Sequence, residues 1–198
     1  MFNFNETDLG SMLGYLMVHL PTQKKEVDVN ALHLEPFELD KKYAKKWNAE
    51  HYNDFVILVK DGKRVNDSIY RVGGLCSKPD GENYFMLLKY VEAYYPKNIV
   101  GNRDPKHLDG LHCILDKNGV EKVIAKKSGD YLYLVKNSCI YTCKNEYYNI
   151  ETGMPYCNSS NSIESSEFLF LEDRYSNEKD KMGVYKINKK DGSVEFFN

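Results

Sequence analysis

No long apolar run, no surplus of charge of one sign and no familiar catalytic motif occur in this chain of 198 residues. The best N-terminal apolar stretch, Met12 to Leu20, is far shorter than the ~20 residues that cross a bilayer as a helix. Glu6 and Asp8 precede it, where a secretory signal carries Lys or Arg. The expectation is a cytoplasmic protein with no membrane role. Lys and Arg number 27 against 29 Asp and Glu, and the net charge of −2 argues against a nucleic-acid surface covering the whole molecule. A local basic patch stays compatible with that balance. Also missing are a Gly-rich phosphate loop ending in Lys-Ser or Lys-Thr, a Gly-x-Ser-x-Gly elbow and a His-Glu-x-x-His pair. The candidate strands carry no aromatic RNA-binding signature. Five cysteines are an odd number in a chain too large to need disulfide staples, so reduced thiols are expected. Trp occurs once beside 16 Tyr and 9 Phe. Tyr suits both strands and binding surfaces, because it joins a large apolar face to a polar tip.

What is present divides the chain at about residue 52. In 1–52, Asn5 with Asp8 three residues on reads as a helix start. Leu9, Met12, Leu13, Leu16, Met17 and Leu20 then mark one face of an amphipathic helix, with Pro21 as its stop. Gly10 and Gly14, one turn apart, allow a close approach: packing on a sheet, or an oligomer contact. A second helix is expected over 40–51, with Tyr43, Ala44 and Trp47 on its apolar side and Lys41, Lys42, Lys45 and Lys46 on a solvated basic side. From 53 to 198 short apolar runs alternate with turn residues, as in Val56–Val59 before Asp61-Gly62 and Cys113–Leu115 before Asn118-Gly119. Further candidate strands are Ser68–Val72, Ser138–Cys143 and Val194–Phe197. Such spacing predicts an antiparallel, mainly β meander of hairpins with the two helices packed on it.

Three stretches read as one repeated unit. Tyr131–Leu134 leads to Tyr147–Ile150 and an Glu151-Thr152-Gly153 turn; Phe168–Leu171 leads to Val184–Ile187 and a Lys190-Asp191-Gly192 turn. Phe85–Leu88 leads to Leu111–Ile114 and an Asp116–Gly119 turn. Tyr131 to Phe168 and Ile150 to Ile187 are both 37 positions, a repeat signal. Tyr84–Tyr95 also satisfies a helical stripe, but its Phe-Met-Leu-Leu matches the other units and favours a strand. The four-residue runs are apolar at every position, which predicts strands covered on both faces. Stacked sheets, a propeller-like ring of small blades or a sheet backed by the helices would each do this. Stretches such as Ile114–Glu121 and Ile187–Val194 resemble WG-type hairpin repeats and propeller blades. The Trp-Gly pair that names the WG family is absent. That resemblance implies a binding scaffold, not a particular chemistry.

The first unit breaks the spacing: Phe85 to Ile114 is 29 positions, while Tyr131 to Ile150 and Phe168 to Ile187 are 19 each. The extra residues fall around 90–110, read here as a long loop grafted on a rigid sheet. Tyr94, Tyr95, Lys97, Arg103, Lys106 and His107 are its candidate binding residues. Tyr faces can stack on a flat ligand, and the cations can meet phosphate or carboxylate. His107, Asp109 and His112 form the cluster with acid–base or metal potential. A His112 on a strand from 111 to 115 would point away from Cys113, and the spacing matches no catalytic motif. Cys139 and Cys143 fall on one strand face about 13 Å apart at the extended rise per residue, too far for one zinc ion. With Cys76 and Cys157 they read as small buried hydrophobes. The expectation is a non-enzymatic binding protein with no cofactor and no metal. It would engage a protein partner through the 90–110 insertion. The alternatives are sequestration of a small anionic ligand, a hydrolase or lyase built on His107, Asp109 and His112, and a structural subunit of a larger assembly or homo-oligomer.

Overall fold

The computed structural model describes residues 30–46, 54–71, 83–94, 106–174 and 182–198. The expected helix through Leu9–Leu20 lies outside them. Of the second helix, expected over 40–51, the described residues hold only the six-residue α1 (Lys41–Lys46), and 47–51 lie outside them. Asp40 caps α1: its carboxylate accepts the Lys42 N–H at 2.8 Å and its carbonyl takes the Ala44 N–H at 2.8 Å. Everything else with regular structure in the described residues is antiparallel strand. The strands form three open sheets, without closure into a propeller or barrel.

The first sheet holds β1 (His33–Pro36), β2 (Phe55–Lys60), β3 (Lys63–Arg64), β4 (Tyr70–Arg71), β5 (Tyr84–Tyr94), β6 (Lys106–Asp116) and β7 (Glu121–Ile124). Its order is β1-β2-β4-β5-β6-β7, with β3 hairpinned onto β2. The 84–95 ambiguity ends as a strand. The sheet curls until its two sides meet. Lys60 Nζ donates to Asn118 Oδ1 at 3.1 Å across 58 residues. A Cβ at Gly119 (φ 81°) would lie 3.1 Å from Val65 and 3.3 Å from Leu32. Leu32, Leu58, Tyr70, Phe85, Leu87, Cys113 and Leu115 fill the inside of that curl.

The second sheet is the meander β8 (Leu132–Leu134), β9 (Ile140–Cys143), β10 (Glu146–Asn149) and β11 (Pro155–Asn158). The third is β12 (Ser162–Glu164), β13 (Phe168–Asp173), β14 (Gly183–Asn188) and β15 (Val194–Phe197). Met86 and Ile114 of the first sheet pack on Leu132 and Ile150 with Ala125. Ile140, Cys139 and Cys157 then pack on Leu169, Leu171 and Ile187. The sheets are therefore layered in chain order, with the second between the other two.

The repeat has a different register from the one the apolar runs suggest. β8 opens its sheet, whereas β13 is second in its own, so Tyr131–Leu134 and Phe168–Leu171 are not equivalent. Their equal spacing is filled differently, by the extra strand β9 in one case and by longer strands in the other. What recurs is the four-strand meander and the turn within it. Asn149 and Asn188 each end a third strand. Four residues on, Gly153 and Gly192 adopt φ of 67° and 72° and donate to the Asn carbonyls at 2.9 and 2.8 Å. Each Asn Oδ1 accepts the N–H two residues on, at 2.8 and 2.9 Å. Asn149 to Asn188 and Gly153 to Gly192 are both 39 positions. Asp116 leads a shorter version, accepting the Asn118 and Val120 N–H groups at 2.8 and 3.0 Å. The two longer turns also interlock: Asn149 Nδ2 donates to the Tyr156 hydroxyl at 3.0 Å, which donates to the Gly192 carbonyl at 2.9 Å.

Of the three repeated runs, coverage on both faces holds for the one on β5, where Phe85, Met86 and Leu87 are all buried; Cys113–Leu115 of β6 and Leu58 with Val59 of β2 are covered likewise. In the second sheet Leu132 is 3% exposed but Tyr131 and Tyr133 are 55% and 45% exposed. In the third, Leu169 and Leu171 are buried while Phe168 and Phe170 are only half-buried. These runs alternate core-facing Leu with aromatic residues whose rings meet water.

Candidate functional site

In its described parts, 90–94 and 106–110, the segment read as a loop is a ribbon. β5 and β6 pair without interruption from Tyr84↔Asp116 to Tyr94↔Lys106. Tyr, Val and Leu mix there with polar residues, and part of the extra length goes into a longer hairpin. Tyr94 and Lys106 are direct backbone partners, and His107 pairs with Ala93. Tyr95, Lys97 and Arg103 lie outside the described residues. The ribbon outgrows its neighbours. β4 meets β5 at Leu88 and Lys89 and β7 meets β6 between Cys113 and Leu115. Single bonds extend this support to Tyr90 (N–H to the Ile69 carbonyl, 2.9 Å) and His112 (carbonyl from the Ala125 N–H, 2.8 Å). The outgrowing part is held on the sheet's face by Leu108 against Phe55, whose ring meets Tyr90 edge-on at 5.0 Å.

The His107, Asp109 and His112 cluster is not assembled. Asp109 and His112 are three positions apart on a regular strand, paired with Val91 and Leu88, so they take opposite faces. His112 packs edge-on against the Tyr131 ring at 5.2 Å, and its Nδ1 is buried without a hydrogen-bond partner. Burial pushes its pKa down, against a smaller upward pull from the Leu132 backbone, so the ring is neutral at pH 7. Cys139 and Cys143 belong to different core clusters, and burial pushes both thiols up. Cys76 lies outside the described residues. Among the described residues no three His, Cys, Asp or Glu side chains gather as a ligand set.

Two features escaped sequence reasoning. The first is a cavity of about 390 Å³ between the end of β7 and one face of the second sheet. Register builds that face: Tyr141 stands opposite Leu134 and Tyr148, and Cys143 opposite Leu132 and Glu146. The Tyr141 and Tyr148 rings stack at 5.1 Å and 15°. Leu132 completes that face, and Ile124, Ala125 and Lys126 line the cavity from the end of β7 onward. Of the four charged side chains in the lining, Asp130 and Lys144 are ion-paired. Lys144 holds Asp130 at 2.7 Å and depresses its pKa. Glu146 accepts the Tyr148 hydroxyl, which with burial raises that phenol to about 12. Lys126 has no ion pair or hydrogen bond among the described residues. The lining comes from four separated segments, so no local motif announces it.

The second feature is a polar knot inside the curled sheet. Glu121 Oε1 accepts from Tyr70 Oη at 2.6 Å and Ser68 Oγ at 2.9 Å, and Oε2 accepts from Lys89 Nζ at 2.7 Å. Asn66 Nδ2 donates to the Tyr70 hydroxyl at 3.0 Å. Desolvation raises the Glu121 pKa, but donors from Lys89, Tyr70 and Ser68 outweigh it and hold the carboxyl below the usual range. Every member has partners, and the knot ties β4 and β5 to β7. That is a structural latch more than a reactive centre.

No protein-family model matches this chain, and neither a curated protein nor a solved structure matches it. Among the described residues no helix is long and apolar enough to cross a membrane.

Proposed function

We propose that the protein is a non-enzymatic binding protein that engages a protein partner through the β5–β6 ribbon and its tip. The observation that supports this is the ribbon's overhang. From Val91 to Tyr94 and from Lys106 to Leu111 no third strand pairs with it among the described residues. An unpaired strand edge presents a row of backbone donors and acceptors, which a partner can extend as an added strand. Tyr94, Tyr95, Lys97, Arg103, Lys106 and His107 cluster in sequence at that end and supply aromatic and cationic contacts of the kind hot spots use. The test is affinity capture from the native host with the parent chain and with Tyr94→Ala plus Arg103→Ala. Loss of a reproducible partner in the double variant is expected. The same partner captured at equal yield overturns the reading.

A second reading, a subunit of an assembly, draws on the outer face of the third sheet. Ile163 is 74% exposed there and Phe197 52%. Register sets Ile163 beside Phe170 and Val184 beside Phe197 on that face. The Lys186–Glu195 ion pair lies between these two apolar pairs on the same face, and exposed apolar side chains beside charges suit an interface. Light scattering at high concentration decides it, and a strict monomer counts against self-assembly.

A further inference from the structure

We propose that the cavity between β7 and the second sheet binds a small planar aromatic anion, with its ring against the Tyr141–Tyr148 stack and its charge at Lys126. The site is separate from the ribbon and does not depend on the partner-binding reading.

Four observations carry this. First, at about 390 Å³ the cavity is of the size that small-ligand sites occupy. Second, two walls suit a flat ring. On one side is the second-sheet face, with a nearly parallel pair of Tyr rings, 5.1 Å apart and tilted by 15°, and Leu132 beside them; the first sheet contributes Ile124 and the adjoining Ala125. Ile124 is 41% exposed on an edge strand, a large apolar side chain that the core does not use. A ring inserted beside it would remove that surface from water.

Third, charge selects the sign. Both carboxylates of the lining are already engaged, Asp130 by Lys144 at 2.7 Å and Glu146 by the Tyr148 hydroxyl. Lys126 is the lining cation with no ion pair or hydrogen bond among the described residues, though its charge reaches Asp130. An anion seated at Lys126 meets an ammonium without breaking an ion pair, whereas a cation seated there meets like charge. Fourth, the chemistry is that of binding. The Cys143 thiol is pushed up by burial and by Asp130, so it stays protonated and is a poor nucleophile at pH 7.

The test titrates the full chain with 2-naphthoate, followed by ligand-observed NMR, beside the shape-matched neutral 2-naphthamide and the cationic 2-naphthylmethylammonium. Saturable binding of 2-naphthoate is expected at about 0.01–1 mM, tighter than the amide and much tighter than the ammonium. Lys126→Gln should weaken the anion about fivefold while leaving the amide unchanged. Tyr148→Ala should weaken both about tenfold, and Tyr148→Phe, which keeps the ring and the sheet, should stay within about twofold of the parent. Phe197→Ser, on the outer face of the third sheet, should change nothing. The proposal is overturned by binding that does not saturate below about 5 mM, by an ammonium or amide that binds as well as the anion, by equal affinity in Lys126→Gln, or by a loss of binding in Phe197→Ser.

Discussion

Glu121→Gln isolates the latch inside the curled sheet. The substitution keeps the shape of the side chain. Ser68 and Tyr70 both donate to Oε1, so a glutamine carbonyl placed there keeps both as acceptor, but as a neutral one. The new amide then points its N–H₂ at Lys89 Nζ, which stood 2.7 Å from Oε2. The Glu121 and Lys89 side chains are only 19% and 21% exposed, so water compensates in part. Losing one charge-assisted bond and weakening two others amounts to about 2 kcal/mol at pH 7. Glu121→Ala strands all three donors and should cost about 3 kcal/mol, below the upper range for broken buried pairs because Lys89 can turn toward solvent. Urea unfolding at fixed pH measures both, and the Gln loss corresponds to a melting shift of about 4–8 °C for a chain of this length. The pH dependence carries the sign. A carboxyl held below its unfolded pKa of about 4.3 stabilises the fold fully above that value, and this contribution fades as pH falls through the folded pKa. Glutamine does not titrate, so the gap between the two proteins should be widest near neutrality and narrow below about pH 4.3. A gap under about 0.5 kcal/mol at pH 7, or one constant down to pH 3, would refute the account of this latch.

Three further outcomes follow from the packing. Gly192→Ala would bring a Cβ to 2.2 Å from Asn149 Nδ2 and 2.6 Å from Tyr156 Oη at φ 72°, whereas Gly153→Ala at φ 67° meets nothing within 4 Å. The first should destabilise by about 2 kcal/mol or more and the second by about 1, by denaturant melts. Ile114→Ala removes a fully buried side chain between the first and second sheets and should cost about 3–4 kcal/mol, while Tyr131→Ala, 55% exposed, should cost about 0.5. Cys113, Cys139 and Cys157 are buried, with Cys157 raised to about 12 by burial, so all three should resist maleimide in the folded protein and react once it unfolds, as read by mass spectrometry.

Much of the strand content was legible because local chemistry carried it. Val194–Phe197 is the strand its residues predict, and Asp61-Gly62 and Asn118-Gly119 sit at the hairpin turns they signal. Asp40 caps α1 through its own side chain. These features depend on a residue and its near neighbours. The register of the repeat was not legible. Apolar runs resemble one another whichever strand of a sheet they occupy, so Tyr131–Leu134 and Phe168–Leu171 aligned although they are not equivalent. The Asn-led turn, four residues from Asn to Gly, was the better ruler, since only that chemistry fixes both the Asx cap and the positive φ. The 90–110 segment misled for a related reason. Its polar residues look like loop, but on a ribbon with solvent at its edges polar and aromatic residues mix without leaving the strand.

By itself the sequence determined that the chain is mainly antiparallel strand, where most hairpins turn and which aliphatic residues enter a core. Periodicity, turn chemistry and burial are written locally. The three-layer stacking, the curl that brings Glu121 to Tyr70 across 51 residues, and the cavity framed by Tyr141, Tyr148 and Lys126 were decided only by tertiary structure. Each depends on side chains from strands whose partners, register and twist no single segment encodes. The same physics separated Asp109 from His112: three positions along a strand are close in sequence and opposite in space.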